Sequence, residues 1–388
     1  MRLAYVLLVV GEDPPAGDAI YYSAQAEVIS RGELFDHPFT GEAAADHPPV
    51  TALLLALPSI GPGDPLFEQR LFMAVLGTAA VAAVMALGRE VAGRWVGLVA
   101  GALAALHPGL WINDGLAMSE TPTALITAVV LLVGIRWRRG TAPSWLLGLL
   151  GGVAVLTRAE LVLLVGLLAL PFGLPGPVGQ RWRRMALVAA FGALTLAPWS
   201  LWNLTRFEEP VAVSTNDGLT LLGSNCDPSY GDGLGFWHLQ CAPPVPGDQS
   251  EVSSEYRRMA IDYVGEHLDE VPRVVAARLG RAWGLYRPTD QVYLNRGEGR
   301  PAGASRLAMW AWYPLAVLAA AGAVVLRRRG GPWGPLLLPF VTVTVTVVLT
   351  YGIPRFRLPA EVAALVLAAV AVEAVARRVV GHELELVP

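Results

Sequence analysis

The chain has 388 residues, of which 54% are hydrophobic and only 16% charged, with a formal net charge of −3. Soluble globular domains carry about 25% charged residues, so this composition, with a mean hydropathy of +0.48, excludes an ordinary soluble domain. The slightly acidic balance argues against a nucleic-acid partner. Apolar runs approaching the ~20 residues that cross a bilayer recur along the sequence, which makes it an α-helical polytopic membrane protein.

Residues 1–10, MRLAYVLLVV, are apolar but too short to span, and no small-residue cleavage site follows them as in a signal peptide. They read as the end of a first spanning helix whose start lies upstream of Met1. A polar loop, 11–66, comes next and contains "GDAIYYSAQAEVISRGELFDHP" and "DHPPV". Further spans are expected at 67–88, 95–112, 118–135, 144–157, 160–175, 184–203, 307–326, 332–352 and 358–376. With the incomplete first span this gives about ten transmembrane helices. The pair 144–157 and 160–175 is split by Arg158 and Glu160, which read as a turn at the membrane surface.

Every basic residue is an arginine. Clusters at Arg89/Arg94, Arg136/Arg138/Arg139, Arg181/Arg183/Arg184, Arg327/Arg328/Arg329 and Arg377/Arg378 all fall on one side if the spans alternate. The positive-inside rule makes that side the cytoplasm and puts both termini there. The opposite, extracytoplasmic face then holds 11–66, 113–117, the turn near 158, a long segment 204–306, and 353–357. The chain divides accordingly into a transmembrane module 1–203 that includes the first outer loop, an outer segment 204–306, and C-terminal helices 307–388.

The outer segment opens with "STNDGLTLLGSNCDPSYGDGLG", whose Asn, Gly and Asp content predicts strands and loops. Farther on, Tyr256, Met259, Ala260, Tyr263 and Val264 recur at helical spacing, and Pro272 suits the first turn of another helix. A small α+β domain is the expectation. The two cysteines, Cys226 and Cys241, both lie in this segment, and outside the cell a disulfide between them is the expected state.

On this assignment Asp18, Tyr21, Tyr22, His47, Arg70, Asp114, Glu120, Arg158, Glu160, Arg355 and Arg357 gather at one membrane level. Ionisable groups near hydrocarbon are costly, and they are either paired or functional. An acid beside arginines at a membrane surface suits group transfer from a phosphate-bearing lipid. The carboxylate accepts a proton from an acceptor hydroxyl, and the arginines hold the phosphate as it gains charge on leaving.

The order "GDAIYY", "HPPV", Arg70, "LAALHPGLWINDGLAMSETPTAL", "LTRAEL", "PWSLWN" and "PRFRLP" resembles the polyprenyl-phosphate-sugar-dependent glycosyltransferases of the GT-C superfamily. The likeness is to the protein O-mannosyltransferase and aminoarabinose-transferase branch, and it runs over nearly the whole chain. The arginine-for-lysine usage fits a GC-rich, actinobacterial-type source. The resemblance implies a GT-C bundle with an amphipathic first outer loop, a sugar donor on a polyprenyl phosphate, and an extracytoplasmic acceptor (protein, lipid or glycan). Sugar transfer would invert the anomeric centre. It implies Asp18 as the catalytic acid of the first loop, with Asp114 or Glu120 at a second acidic position. Arg355 or Arg357 would bind phosphate, with Arg70 and Arg158 behind them, and Tyr21, Tyr22 and His47 are candidate substrate contacts. No metal ligands are assigned; a divalent cation, magnesium or manganese, at Asp18 is left open.

Plainer readings stand beside these. Asp18 and Ser119 are favoured helix caps, Glu120 suits a helix N-terminus, Glu27 and Asp36 are solvated charges, and His47-Pro48-Pro49 is a rigid helix entry. His107-Pro108 reads as a helix end. Asp227 and Asp232 lack EF-hand spacing. Two other functional readings are a transporter or flippase of a lipid-linked substrate, for which a repeat and midplane charges are wanting, and a non-catalytic GT-C relative.

Overall fold

The computed structural model describes residues 1–11 and 13–385. They are almost wholly helical; among the described residues the only β pairing is an isolated bridge between Asp36 and Ala43. Among the described residues five helices are long and apolar enough to cross a membrane: Pro65–Ala92, Glu120–Arg138, Val178–Asn203, Ala302–Arg328 and the segment Pro354–Val379. Shorter apolar helices occupy Arg94–Leu106, Ser144–Thr157 and Trp333–Leu349. Each expected span has a helical counterpart. The one at 160–175 is the shortest, a helix only over Leu161–Ala169.

The axis of the bundle is the helix Leu358–Glu385. From Leu358 to Val370 almost every side chain is buried, and the helix packs on Ala302–Arg328, Arg94–Leu106, Trp333–Leu349 and Glu120–Arg138. Its sequence, LPAEVAALVLAAVAVEA, supplies mostly small side chains, and in lipid such residues let backbones approach closely enough for dispersion to hold helices together. The closest approach is at Gly322, where a Cβ would stand 1.8 Å from the Leu367 carbonyl oxygen. At the periphery, Val178–Asn203 has only 11% of its apolar window buried and is tied mainly to Ser144–Thr157.

The arginine clusters do meet at common ends. Glu90 accepts from Arg136 at 2.8 Å and from Arg139 at 2.6 Å. Arg138 donates to the carbonyls of Leu168, Leu170 and Phe172, and Arg184 donates to the Trp137 carbonyl. Leu161–Ala169 covers only about 14 Å at the usual rise, yet the Arg138 contacts show that it returns toward the arginine end. Arg158–Glu160 is therefore the turn of a helical hairpin.

The segment 204–306 differs from expectation. It contains helices Asn216–Ser224, Gln249–Glu266, Val271–Ala282 and Pro288–Gly297, and among the described residues no strand. The Asn-Asp-Gly start that reads as a turn instead opens a helix. Gly218 is the reason: it lies against the Gln249–Glu266 helix so closely that a Cβ would meet the Ser253 carbonyl oxygen at 2.1 Å. Tertiary packing thus overrides local turn propensity. Asp248 caps the second helix, with its carboxylate accepting from the Ser250 and Glu251 amides and the Glu251 side chain returning to the Asp248 amide. Cys226 and Cys241 form a disulfide, Cα–Cα 6.2 Å, closing a loop whose cross-linking contributes about 3 kcal/mol by chain-entropy arguments.

Candidate active site

Asp18 is the first residue of helix Asp18–Ser30. The residue before it, Gly17, has φ +58°, and a Cβ there would stand 3.3 Å from the Glu298 Cα, so a left-handed backbone and a close neighbour both favour glycine. Asp18 opens onto a cavity of about 360 Å³. Around it stand Tyr22 and His47 of the first outer loop, Arg158 of the hairpin turn, and Tyr351 and Arg355 from the stretch before the axial helix. Each element delivers its residue for a local reason. Pro48 and Pro49 fix the chain as it enters helix Pro49–Ala56, the Arg158–Glu160 turn brings Arg158 to the cavity, and Pro354 opens the 3-10 turn that carries Arg355.

One guanidinium organises the wall. Arg355 Nη1 donates to Asp18 Oδ2 at 2.9 Å and lies 3.0 Å from Glu298 Oε1, while its Nη2 donates to the Tyr351 hydroxyl at 3.2 Å. Arg158 Nε donates to Glu160 at 2.6 Å. Glu120, 1% exposed, lies behind the wall and is surrounded by Arg300 at 3.4 Å, Arg158 at 3.5 Å and Arg355 at 3.8 Å. Neither of its carboxylate oxygens has a hydrogen-bond partner; charge rather than hydrogen bonding holds it.

Burial pushes the Asp18 carboxyl upward, but the Arg355 guanidinium, with His47 and Arg158, outweighs it and lowers the pKa to about 2. The Asp18 side chain nevertheless keeps 37% of its surface exposed, toward the cavity. His47 stacks on Tyr22 with ring centroids 4.6 Å apart. Burial pushes its imidazole below the usual range, against the pull of Asp18 and Asp46, so it is neutral at pH 7. Burial likewise raises the Tyr22 hydroxyl, which stays protonated. The cavity therefore presents an ionised carboxylate, fixed guanidinium charge and neutral hydrogen-bonding groups.

Comparison with solved structures identifies the fold that carries this cavity. The archaeal oligosaccharyltransferase AglB from Archaeoglobus fulgidus, solved with an inhibitory peptide and a dolichol-phosphate, superposes on 100% of this chain and 50% of its own, at 14% identity and TM-score 0.57. Its apo form gives 15% identity and TM-score 0.56 over 98% of this chain and 49% of that one. The chain has the GT-C membrane fold. It spans about half the length of the oligosaccharyltransferase it matches. ArnT from Cupriavidus metallidurans, solved with undecaprenyl phosphate, covers 96% of this chain and 77% of its own at 17% identity, but its TM-score of 0.40 is too low to argue from. The family described as dolichyl-phosphate-mannose-protein mannosyltransferase matches residues 46–202, less than half of the chain. No curated protein matches it.

Within the GT-C fold, Asp18, Tyr22, His47, Arg158 and Arg355 line the cavity, and Glu120 lies against its arginines. Tyr21 is one shell out: its hydroxyl donates to Gln25 and its ring packs on His47. Three of the expected site residues stand elsewhere. Asp114 is buried with Arg2 and accepts from the Thr121 hydroxyl at 2.9 Å, because the first ten residues return into the bundle and bring a cation to it. Arg70 donates to the carbonyls of Gly11 and Asp13, clamping the start of the outer loop. Arg357 pairs with Glu361 at 2.7 Å, and Glu361 also meets His107 at 2.9 Å; a 3-10 turn points Arg357 away from Arg355. Glu298, Arg300 and Tyr351 belong to the cluster without having been singled out in the sequence. The only signal for the first two is the charge density of "NRGEGR" at 295–300.

The donor set does not suit a divalent cation. Among the described residues no group of three or more His, Cys, Asp or Glu side chains is gathered for a metal. Asp18 already accepts from Arg355, and Glu120, Glu160 and Glu298 are likewise taken up by guanidiniums.

Proposed function

We propose that the chain is a glycosyltransferase that moves a sugar from a polyprenyl-phosphate-linked donor to an extracytoplasmic acceptor. The observation that carries the reading is the contact between Asp18 and Arg355 on the cavity wall, at 2.9 Å. It brings a carboxylate able to take a proton and a cation able to hold phosphate into one cavity of about 360 Å³. Asp18 accepts the proton of an acceptor hydroxyl as its oxygen bonds to the anomeric carbon. The sugar–phosphate C–O bond breaks, its electron pair leaves with the phosphate, and a single displacement inverts the anomeric centre. Arg355 and Arg158 offset the charge that develops on the departing phosphate, while His47 and Tyr22 offer hydrogen bonds to sugar hydroxyls. The arginine clusters at the opposite ends of the spans support the extracytoplasmic orientation. AglB, solved with a dolichol-phosphate, and the match of residues 46–202 to the dolichyl-phosphate-mannose-protein mannosyltransferase family support the class of donor.

The test is sugar transfer in membranes with a panel of radiolabelled polyprenyl-phosphate sugars. Wild type is expected to use one of them, and Asp18→Asn to lose about 10²–10⁴-fold in rate while still expressing and folding. Full transfer by a folded Asp18→Asn protein would remove the base from this mechanism.

A further inference from the structure

The cavity cluster carries one acid too many to receive an anion. Asp18, Glu120, Glu160 and Glu298 are four carboxylates; Arg158, Arg300 and Arg355 are three guanidiniums. Four negative against three positive charges leaves −1, and a phosphate headgroup entering that field adds at least one more negative charge. Either the anion is repelled or one carboxylate gives way.

Three of the acids are held by rigid elements. Asp18 starts a well-packed helix, Glu120 is the first residue of a membrane-length helix, and Glu160 holds Arg158 across the hairpin turn. Glu298 is different. It sits in the short connection between helices Pro288–Gly297 and Ala302–Arg328, with Gly297 before it and Gly299, at φ +81°, after it. The helix that leads into it buries only Gln291 and Val292, and it begins after Arg287, a non-glycine residue at φ +45°. That left-handed backbone stores strain which a rearrangement would release.

We propose that Glu298 is a movable counter-ion: it occupies Arg355 and Arg300 in the resting protein and is displaced when the phosphate of the donor enters. It is a positioning residue, and the proposal rests on the phosphate-donor reading above. Two consequences follow for the same site. The arginines are kept paired, and so folded into place, before substrate arrives. Asp18 also shares Arg355 with the incoming phosphate, so the carboxylate is released from part of its ion pair at the moment it is needed as a base.

The experiment is binding of a polyprenyl monophosphate, without sugar, to the purified full chain in detergent. Glu298→Gln is expected to bind about tenfold tighter than wild type, the change given by removing one competing charge-assisted hydrogen bond, while Glu298→Asp stays near wild type. Equal or weaker binding by a folded Glu298→Gln protein overturns the proposal and leaves the donor reading intact. No binding of the phosphate lipid by any of the three proteins overturns both. A second measurement needs no variant. Trypsin cleavage after the exposed Arg296 is expected to accelerate in wild type on adding the phosphate lipid, as the connection is released; slower or unchanged cleavage overturns the displacement.

Discussion

The two ends of the bundle use the same pair of residue types in opposite ways. At the arginine-rich end, Glu90 lies between Arg136 and Arg139, whose side chains are 48% and 42% exposed. At the cavity end, Glu120 lies among Arg158, Arg300 and Arg355, none more than 13% exposed. Exposed pairs are screened and contribute at most about 1 kcal/mol each. On the proposed topology their role is orientation relative to the membrane rather than stability. Buried charges must recover a desolvation cost of several kcal/mol per ion, and apolar side chains would fill the same volume with less risk. A buried cluster facing a cavity is therefore better explained by what it does to a ligand than by what it does for the fold.

Substitutions can sharpen or break that contrast. Among the arginines of the two ends the largest effect is expected at Arg355→Gln, which removes a charge from the cavity wall and leaves Asp18 unpaired. Transfer should fall by about 10²–10³-fold, read as initial rate at saturating donor; a loss below tenfold would place the phosphate elsewhere. Next is Arg300→Met, which leaves Glu120 buried with fewer counter-charges and should cost about 3 kcal/mol, measured as a fall in melting temperature in detergent. At the other end, Arg136→Ala should change stability by no more than about 0.5 kcal/mol and leave transfer unchanged. If it proved as damaging as Arg300→Met, the two ends would not differ as argued.

The smallest expected effect is of pH. A carboxyl lowered to about 2 contributes stability that is present above the ordinary carboxylate pKa and is lost progressively as pH falls from there to about 2. The kcat/KM of the wild type, which reports the free protein, should therefore show no Asp18-dependent acid limb between about pH 7 and pH 4. A limb in that window that vanishes in Asp18→Asn would show that the Arg355 contact does not persist in the resting protein.

How much of this could be read in advance depends on how local the signal was. Arg355 was legible because an arginine on the acidic side runs against the membrane charge bias. Asp18 and His47 were legible because they sit in a polar loop ordered against the spans. The Arg158 turn was legible because two charges interrupt an apolar run. Glu298 and Arg300 were not, since "NRGEGR" has the composition of a solvated linker and only the folded chain shows it lying on Gly17. Asp114 misled because its partner, Arg2, stands 112 residues earlier, in a stretch that reads as the end of a spanning helix and not as a source of a counter-charge. The strands expected after Ser214 failed because Asn, Asp and Gly are turn residues only until a neighbouring helix makes the glycine a contact surface.

The axial helix follows in sequence every helix that it packs against. During biosynthesis the helices it packs against are therefore made before their common partner, Leu358–Val370, leaves the ribosome. The same helix is preceded directly by Pro354–Arg357, so the Arg355 side of the cavity is completed in that same event. Assembly of the bundle and assembly of its charge cluster thus finish together, and a chain stalled before the axial helix would carry Asp18 without the cation that holds it.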